Sequence, residues 1–175
     1  MIKDILVYPN PILRKISKPV TKFDDKLHKL LDDMNDTMKN SKGVGLAAIQ
    51  IGTALSVLII NLPVIDENDE DIQKDENLIE AINPKIIYQD GEQISNEGCL
   101  SVPAFTTDIK RAKTIKVKYQ DRYGKELTMQ ADDYMAVAWQ HEIEHLSGHV
   151  FIENLKFAER KKFEKLWKKK QKKKK

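Results

Sequence analysis

The stretch "QHEIEHLSG", residues 140–148, constrains the fold more than any other part of the sequence. On an α-helix, residues four apart lie on the same face one turn away, so His141 and His145 can direct two imidazoles at one metal ion. Glu142 lies beside the first histidine, where it reaches the outer shell of the ion rather than the ion itself. In this H-E-x-x-H arrangement the glutamate accepts a proton from a metal-bound water. We therefore expect the chain to bury one face of this helix around a catalytic metal.

A solvent-facing helix with two incidental histidines is the alternative interpretation of this stretch. Tyr134 and Ala138 fall on the same helical stripe as the two histidines. Their presence there indicates that the stripe faces the interior of the protein.

Two imidazoles leave a catalytic ion one protein ligand short, because catalytic zinc sites normally use three. A third histidine at the usual spacing would fall at Phe151, which cannot bind a metal, and His149 follows Gly148, which is expected to end the helix. Glu164 could act as a downstream ligand, although it lies among lysines on a predicted helix. Cys99 stands in "EGCLSVP", where β-type residues would fix its thiolate on a strand. The residues alone favour Cys99 and keep Glu164 as the second candidate.

The composition suits a single catalytic domain at residues 1–167, followed by a lysine-rich tail at 168–175. Of the 175 residues 41% are hydrophobic, which is enough for one compact core. Cys99 is the only cysteine, so no internal disulfide can form and a reducing cytoplasm is the expected location. The longest apolar run, "ALSVLII", is too short to cross a bilayer, so no membrane segment is expected.

The net charge of +3 conceals an uneven distribution of charge. Residues 159–175 contain 11 of the 30 Lys and Arg residues but only 2 of the 27 Asp and Glu residues. A basic segment of this kind usually forms a solvated surface, and less often it binds phosphate-rich partners such as RNA.

Local patterns in the first two thirds of the chain predict a mixture of helix and antiparallel strands. Apolar residues at helical spacing predict an amphipathic helix that begins after Asp24 and ends before Gly43. "LSVLIINL" indicates a buried strand, residues 66–76 indicate a charged loop, and "LIEAINPKIIYQDGEQ" indicates two strands separated by a proline break. "TIKVKYQDRYGKELTMQ" alternates around a turn and predicts a hairpin.

The last third of the chain is predicted to be mainly helical. Asp132 or Asp133 should cap the histidine-bearing helix, and Gly148 should end it. "HVFIENL" predicts a short strand. The last helix carries an apolar stripe that is expected to pack in the core rather than to form a groove for a partner: Phe163, Leu166 and Trp167. Together these elements indicate an α+β fold in which antiparallel sheets pack around a central metal-binding helix, with a C-terminal helix.

Three motifs in this sequence resemble those of the peptide deformylases. They are "GVGLAAIQ" at residues 43–50, "EGCLS" at 97–101 and "QHEIEHLSG" at 140–148. The resemblance extends over nearly the whole chain, because "YPNPILRKISKPV" and "PKIIYQDGE" are also similar to the family. Two features depart from it: Glu144 stands where the motif usually carries Asp, and the lysine-rich end is not part of the motif set.

The resemblance implies a metal site made by Cys99, His141 and His145. It also implies one divalent ion, Fe²⁺ in the cell, which Zn²⁺, Ni²⁺ or Co²⁺ can replace. The residues themselves specify one thiolate, two imidazoles and an open position, a set that suits zinc and iron about equally.

The implied activity is removal of the N-formyl group from the N-terminal formylmethionine of newly made polypeptides, with release of formate. Metal-bound water would attack the formyl carbonyl, with Glu142 as general base and then general acid. The side-chain amide of Gln50 and the backbone N–H of Leu100 would stabilise the oxyanion.

The resemblance and helix geometry also suggest how a substrate is held. Gly45 would contact its backbone, with the peptide added as an extended strand. Arg111 would steady the rim of the methionine slot, or it is a solvated arginine at a strand edge. Glu97 and Gln140, which precede motif residues, are candidates for orienting the metal ligands. Four residues are expected to line the slot for the methionine side chain: Val44, Tyr134, Val137 and Ala138.

The expected partners are formylmethionyl nascent peptides. Because such peptides emerge from the ribosome, the basic tail could also associate with ribosomal RNA.

Two other functions are compatible with parts of the sequence. A metalloprotease would use Glu164 as its third ligand. A nucleic-acid-binding protein would hold a structural ion, and such closed sites normally need four protein ligands, whereas the sequence offers three. The ligand count therefore favours catalysis.

Overall fold

The structure, a computed structural model, describes residues 1–174, so Lys175 of the lysine-rich tail lies outside the described residues. The described chain forms three α-helices: α1 (Asp25–Asn40), α2 (Asp133–Leu146) and α3 (Phe157–Lys172). It also forms nine strands: β1 (Gly45–Ala47), β2 (Val57–Ile60), β3 (Val64–Ile65), β4 (Asp71–Ile72), β5 (Ile79–Asp90), β6 (Gln93–Cys99), β7 (Val102–Arg111), β8 (Thr114–Gln120) and β9 (Glu126–Asp132). Short 3₁₀ helices occur at Pro11–Arg14, Ala48–Ile51, Asp75–Asn77 and Phe151–Asn154.

The strands form one large sheet and two hairpins. The five-stranded sheet has the order β1-β2-β5-β8-β9 with antiparallel pairing throughout, while β3 pairs with β4 and β6 with β7. Helix α2 packs on the large sheet, where its Trp139 joins Ile115 and Val117 in one buried cluster. The predicted α+β fold, with antiparallel sheets around a central helix and a C-terminal helix, is confirmed. Within residues 1–174, no helix combines the length and the apolar character that crossing a membrane requires.

Helix α1 begins and ends where the sequence predicts. The side chain of Asp24 accepts a hydrogen bond from the backbone N–H of Leu27 (3.1 Å), which satisfies one of the free donors of the first turn. The apolar stripe of this helix is buried: Leu27, Leu31, Met34 and Met38. The stripe packs against β2. The residues that the helical spacing assigns to the apolar face are therefore the ones that are buried.

Helix α2 ends at Leu146, two residues before Gly148, which terminates it as predicted. Gly148 has a φ of 75°, a left-handed conformation that glycine adopts without steric cost. A Cβ at this position would lie 2.3 Å from the carbonyl oxygen of Arg14, so glycine is also needed for space. At the other end Asp132 precedes the helix, but its carboxylate accepts from the hydroxyl of Thr114 (2.7 Å) instead of capping the first turn.

Helix α3 is attached to the body by aromatic residues. Phe163 and Trp167 are buried, and the indole N–H of Trp167 donates to the carbonyl of Tyr8 (3.1 Å). Leu166 is 55% exposed, so the prediction that it belongs to the buried stripe is wrong. The helix continues to Lys172, so residues 168–172 of the predicted tail are helical.

Three local predictions differ from the structure. The segment "HVFIENL" contains a 3₁₀ turn, Phe151–Asn154, rather than a strand, and its Phe151 and Ile152 are buried in a cluster with Tyr8, Leu13 and Phe163 from distant parts of the chain. Residues 66–76 are more than a loop, since β3 and β4 pair through Val64 and Ile72 and through Ile65 and Asp71.

The third difference concerns the proline break in β5. Strand β5 runs without interruption from Ile79 to Asp90, although Pro84 lies within it. The pairing with β8 shifts register between Ile82 and Lys85, and Asn83 has a φ of 52°. A bulge of this kind accommodates a proline that cannot donate to the ladder.

Candidate metal centre and active site

Strand β6 and helix α2 bring three potential metal ligands together. Cys99 is the last residue of β6, and His141 and His145 lie one turn apart on α2. Their ligand atoms all lie within 4.8 Å of one another, and the Cys99 Sγ to His145 Nε2 distance is 3.4 Å. Within residues 1–174, this is the one group of three such side chains that could hold an ion.

The spacing and chemistry of the three ligands fit a divalent transition metal. Metal–sulfur and metal–nitrogen bonds of roughly 2.3 and 2.1 Å in a tetrahedron place ligand atoms about 3.5 Å apart. The observed distance of 3.4 Å between Sγ of Cys99 and Nε2 of His145 agrees with that value. Glu164, the other candidate ligand, instead faces Arg160 on α3 at 3.6 Å.

A buried ion network lies behind His141. Its Nδ1 donates to Glu97 (2.9 Å), and that carboxylate also accepts from Nε and Nη2 of Arg111 (2.9 and 2.8 Å). Arg111 reaches Glu144 with its remaining Nη1. Because Glu97 holds Nδ1 of His141, the Nε2 atom of that ring is turned toward the ligand cluster.

The observed contacts of Arg111 differ from those expected from the sequence. Its side chain is 4% exposed and its guanidinium is engaged with Glu97 and Glu144, so it does not line the cavity that opens in front of the ligand cluster. The expectation that Arg111 steadies the rim of the methionine slot is therefore corrected, and so is its alternative as a solvated arginine. Burying the guanidinium requires the two carboxylates as partners.

Burial and the network together shift the pKa values of the ligand region. Burial would raise the pKa of Glu97, but hydrogen bonds from Arg111 and His141 outweigh it and lower that pKa. Burial would lower the pKa of His141, but hydrogen bonds with Cys99 and Glu97 raise it well above its usual value. Burial and the nearby charge of His141 lower the pKa of His145.

Glu142 is a buried carboxyl group beside the ligands. Burial raises its pKa from 4.5 to about 7. Its Oε2 atom is buried and contacts no hydrogen-bond partner among the described residues. A buried carboxylate oxygen of this kind is suited to exchange a proton with water or substrate near neutral pH.

The glycines of "GVGLAAIQ" are needed for close packing. A Cβ on Gly45 would lie 2.7 Å from Oε1 of Glu142, and one on Gly43 would lie 2.6 Å from Cδ1 of Leu100. Strand β1 can therefore approach Glu142, and the segment leading into it can approach Leu100, only because these two positions lack side chains.

Gln50 is held by hydrogen bonds on both sides of its amide. Its Oε1 accepts from the backbone N–H of Ala47 (2.9 Å). Its Nε2 donates to the hydroxyl of Ser101 (3.0 Å) and lies 3.6 Å from Sγ of Cys99. The donor end of the amide is thus directed at the ligand cluster.

A cavity of about 550 Å³ opens in front of this cluster. Tyr134 lies at its mouth and is 52% exposed. Besides Cys99, Glu97 and His141, eight residues predicted from the sequence line this cavity: Val44, Gly45, Gln50, Leu100, Tyr134, Val137, Ala138 and Glu142. A further wall of the cavity was not predicted from the sequence: Asn96, Val102, Pro103, Ala104, Phe105 and Thr106. Most of these residues directly follow the "EGCLS" motif, which is the signal that could have identified them.

The cavity lies beside an open strand edge. Strand β1 is the outermost strand of the large sheet and pairs with β2, where the N–H of Asn61 donates to the carbonyl of Val44 (2.8 Å). Adjacent residues of a strand direct their peptide groups to opposite sides. The N–H and C=O of Gly45 therefore face the open edge.

Comparison with known proteins identifies the family. The family model described as "Polypeptide deformylase" matches residues 2–161. The chain belongs to the peptide deformylase family. Membership makes it a hydrolase that removes the formyl group from newly made polypeptides, and enzymes of this family are metal-dependent.

Individual peptide deformylases are similar over nearly the full length of the chain. The enzyme of Campylobacter jejuni is 54% identical over 98% of this chain and 97% of its own length. That of Nautilia profundicola is 51% identical over 96% and 94%. A crystal structure of the Ehrlichia chaffeensis peptide deformylase in complex with actinonin has a TM-score of 0.85 and 37% identity, covering 96% of this chain and 97% of that one.

Proposed function

We propose that this chain hydrolyses the formamide bond of N-terminal formylmethionine at a single metal centre held by Cys99, His141 and His145. The proposed ion is Fe²⁺ in the cell, with Zn²⁺, Ni²⁺ or Co²⁺ as substitutes. The observation that carries the proposal is the cluster of three ligand atoms within 4.8 Å of one another beside an open cavity. A divalent ion bound there would lower the pKa of water from about 15.7 to roughly 7 and polarise the formyl carbonyl.

Glu142 is proposed as the group that moves protons. Its buried Oε2 accepts a proton from the attacking water and then delivers it to the leaving nitrogen. A pKa near 7, caused by burial, suits both steps because the group can hold and release a proton at neutral pH.

Gln50 and Leu100 are proposed to stabilise the oxyanion that forms on the formyl oxygen. The Nε2 atom of Gln50 is fixed by its bond to Ser101 and directed at the ligand cluster. The backbone N–H of Leu100 follows Cys99 at the end of β6. Donors fixed in advance at this position are worth roughly 3–4 kcal/mol of activation free energy each.

The substrate is proposed to bind as an extended strand along β1. The free peptide groups of Gly45 would pair with its backbone. Four residues of the cavity wall would surround the methionine side chain: Val44, Tyr134, Val137 and Ala138. Because the Ehrlichia structure contains actinonin, we expect actinonin to occupy the same cavity in this chain.

Residues 1–167 are proposed as the catalytic domain of a cytoplasmic enzyme. The basic residues from Lys168 onward would associate with the ribosome, where formylated peptides emerge. The supporting observation is the charge of this segment.

The proposed activity is tested by measuring formate released from formyl-Met-Ala by protein purified without oxygen. We expect turnover that stops when a chelator is added. Acetyl-Met-Ala is the matched control substrate, and it should release little acetate because the proposed activity is specific for the formyl group. Hydrolysis of internal peptide bonds instead of the formyl amide would indicate a metalloprotease.

A further inference from the structure

Gln73 lies outside the three motifs, yet its side chain contacts the segment that leads into β1. Its Nε2 donates to the carbonyl of Gly43 (2.8 Å) and to the carbonyl of Asn61 (2.7 Å). Gly43 lies two residues before β1, and Asn61 directly follows β2. One amide group thus holds together two backbone segments that are 18 residues apart in the sequence.

The segment held in this way is the one next to the substrate. Gly43 and Gly45 both line the cavity, and the peptide groups of Gly45 face the open edge of β1. Asn61 is fully buried, and its N–H already fixes the carbonyl of Val44. Gln73 restrains the carbonyl of the preceding residue, Gly43, at the same edge of the sheet.

Gln73 also affects the position of Leu100, through Gly43. The side chain of Leu100 packs directly on Gly43, where a Cβ would lie 2.6 Å from its Cδ1. A shift of Gly43 would therefore be felt at the wall of the cavity as well as at the edge of β1.

The hairpin that carries Gln73 is itself anchored. The side chain of Asn61 donates to the carbonyl of Lys74 (3.0 Å), and Asp75 pairs with Lys39 of α1. Gln73 is thus placed by contacts on both sides rather than by a free loop.

We propose that Gln73 is a positioning residue that fixes the Gly43–Gly45 edge for the backbone of a bound peptide. It acts through Gly43 and Asn61 and does not contact the metal ligands. This inference rests on the proposed function, in particular on the substrate lying along β1. It predicts that Gln73 affects peptide binding more than the chemical step.

The test compares Gln73→Met with Gln93→Met. Gln93 is a matched control because its Nε2 also donates to two backbone carbonyls, those of Ala112 and Asp133 (3.0 Å each), and it does not line the cavity. Each variant removes one amide from two carbonyl partners, so both should lose similar thermal stability. KM, kcat and metal content are measured with formyl-Met-Ala-Ser.

We expect Gln73→Met to raise KM about tenfold, the effect of roughly one misplaced backbone hydrogen bond, with kcat within about twofold of wild type. Gln93→Met should leave KM unchanged, and both variants should retain their metal. Gln73→Asn, which keeps the amide but shortens its reach, should raise KM by less and serves as the deciding variant if Gln73→Met does not fold.

An unchanged KM in an active Gln73 variant, or the same KM change in Gln93→Met, would overturn the inference and leave the proposed function intact. Wild-type protein that releases no formate would instead refute the proposed function, and this inference with it.

Discussion

Replacing Cys99 should weaken metal binding, whereas replacing Glu164 should not. Changing Cys99 to Ala removes one of three ligand atoms that lie within 4.8 Å of one another, so metal affinity should fall by at least about a hundredfold. Glu164 faces Arg160 on α3, and Glu164→Ala should bind metal as wild type does. Titration of metal into the two chelator-treated variants measures the difference. Loss of affinity in Glu164→Ala, with normal affinity in Cys99→Ala, would support the metalloprotease interpretation.

Burial of Glu142 predicts a pH dependence of stability in the metal-free protein. The folded protein raises the pKa of this carboxyl from 4.5 to about 7, so it favours the protonated form. The stabilisation is therefore fully present below about pH 4.5 and is lost as the pH rises through about 7. This carboxyl group contributes at most about 3 kcal/mol to the free energy of unfolding in this way.

Glu142→Gln isolates this contribution because it keeps the shape of the side chain and cannot ionise. The difference in unfolding free energy between wild type and variant, measured with urea between about pH 4 and pH 8, should shift in favour of the variant as the pH rises. The variant should also lose roughly 10²- to 10⁴-fold in turnover when loaded with metal. Parallel stability curves at every pH would be inconsistent with a buried, raised-pKa Glu142.

The ion network of Arg111 joins β6, β7 and α2. Arg111→Met leaves Glu97 and Glu144 without their shared partner, and breaking a buried pair from one side costs about 3–5 kcal/mol of unfolding free energy. The same variant should weaken metal binding, because Glu97 would no longer be held against His141.

Arg122→Met is the control for that variant. Arg122 also pairs with two carboxylates, Glu80 and Asp32, but its side chain is 24% exposed and lies away from the metal ligands. It should cost about 1 kcal/mol or less and leave metal affinity unchanged. Equal losses of stability and metal binding in both variants would show that the network has no special role at the metal centre.

The elements that could be predicted from the sequence are those determined by neighbouring residues. Helix α1 follows from the spacing of Leu27, Leu31 and Met34 after a capping Asp24, and the β8–β9 hairpin follows from alternation around a turn. The 3₁₀ turn after Gly148 could not be predicted in this way, because Phe151 and Ile152 have strand-like composition and are buried by packing against distant segments.

The same distinction separates the parts of the candidate site. His141 and His145 come together through helix periodicity alone. The need for a third ligand favoured Cys99 over Glu164, and motif resemblance implied it, but no local spacing places Cys99 beside the histidines. The position of Arg111 depends on Glu97 and Glu144, which are 14 and 33 residues away in the sequence. Gln73 contacts Gly43 across 30 residues, and no local pattern marks that pair.

At the scale of the whole molecule, the basic face of α3 predicts salt-dependent association with ribosomes. Lys170 should be kept in the test, because its Nζ donates to the carbonyl of Ala104 on the cavity wall (3.1 Å). The variant therefore carries glutamine at three exposed lysines: Lys168, Lys169 and Lys172. The slope of log affinity against log salt should fall by roughly 0.7–0.9 for each phosphate that the variant no longer neutralises.

Three exposed lysines elsewhere provide the control for this variant: Lys113, Lys116 and Lys125. Their replacement by glutamine changes the net charge equally, so cosedimentation with ribosomes separates a local surface from overall charge. Turnover of formyl-Met-Ala should be unchanged in both variants. Equal weakening by both sets would mean that only net charge matters, and the association would not be assigned to α3.

The central claim is that one metal ion, held by one thiolate and two imidazoles, is required to remove the formyl group. Its most direct test is formate release from formyl-Met-Ala-Ser while metal-free protein is titrated with Fe²⁺ without oxygen. Turnover should be absent at the start and should rise linearly until about one equivalent of metal per chain has been added. Full turnover before any metal is added would contradict it.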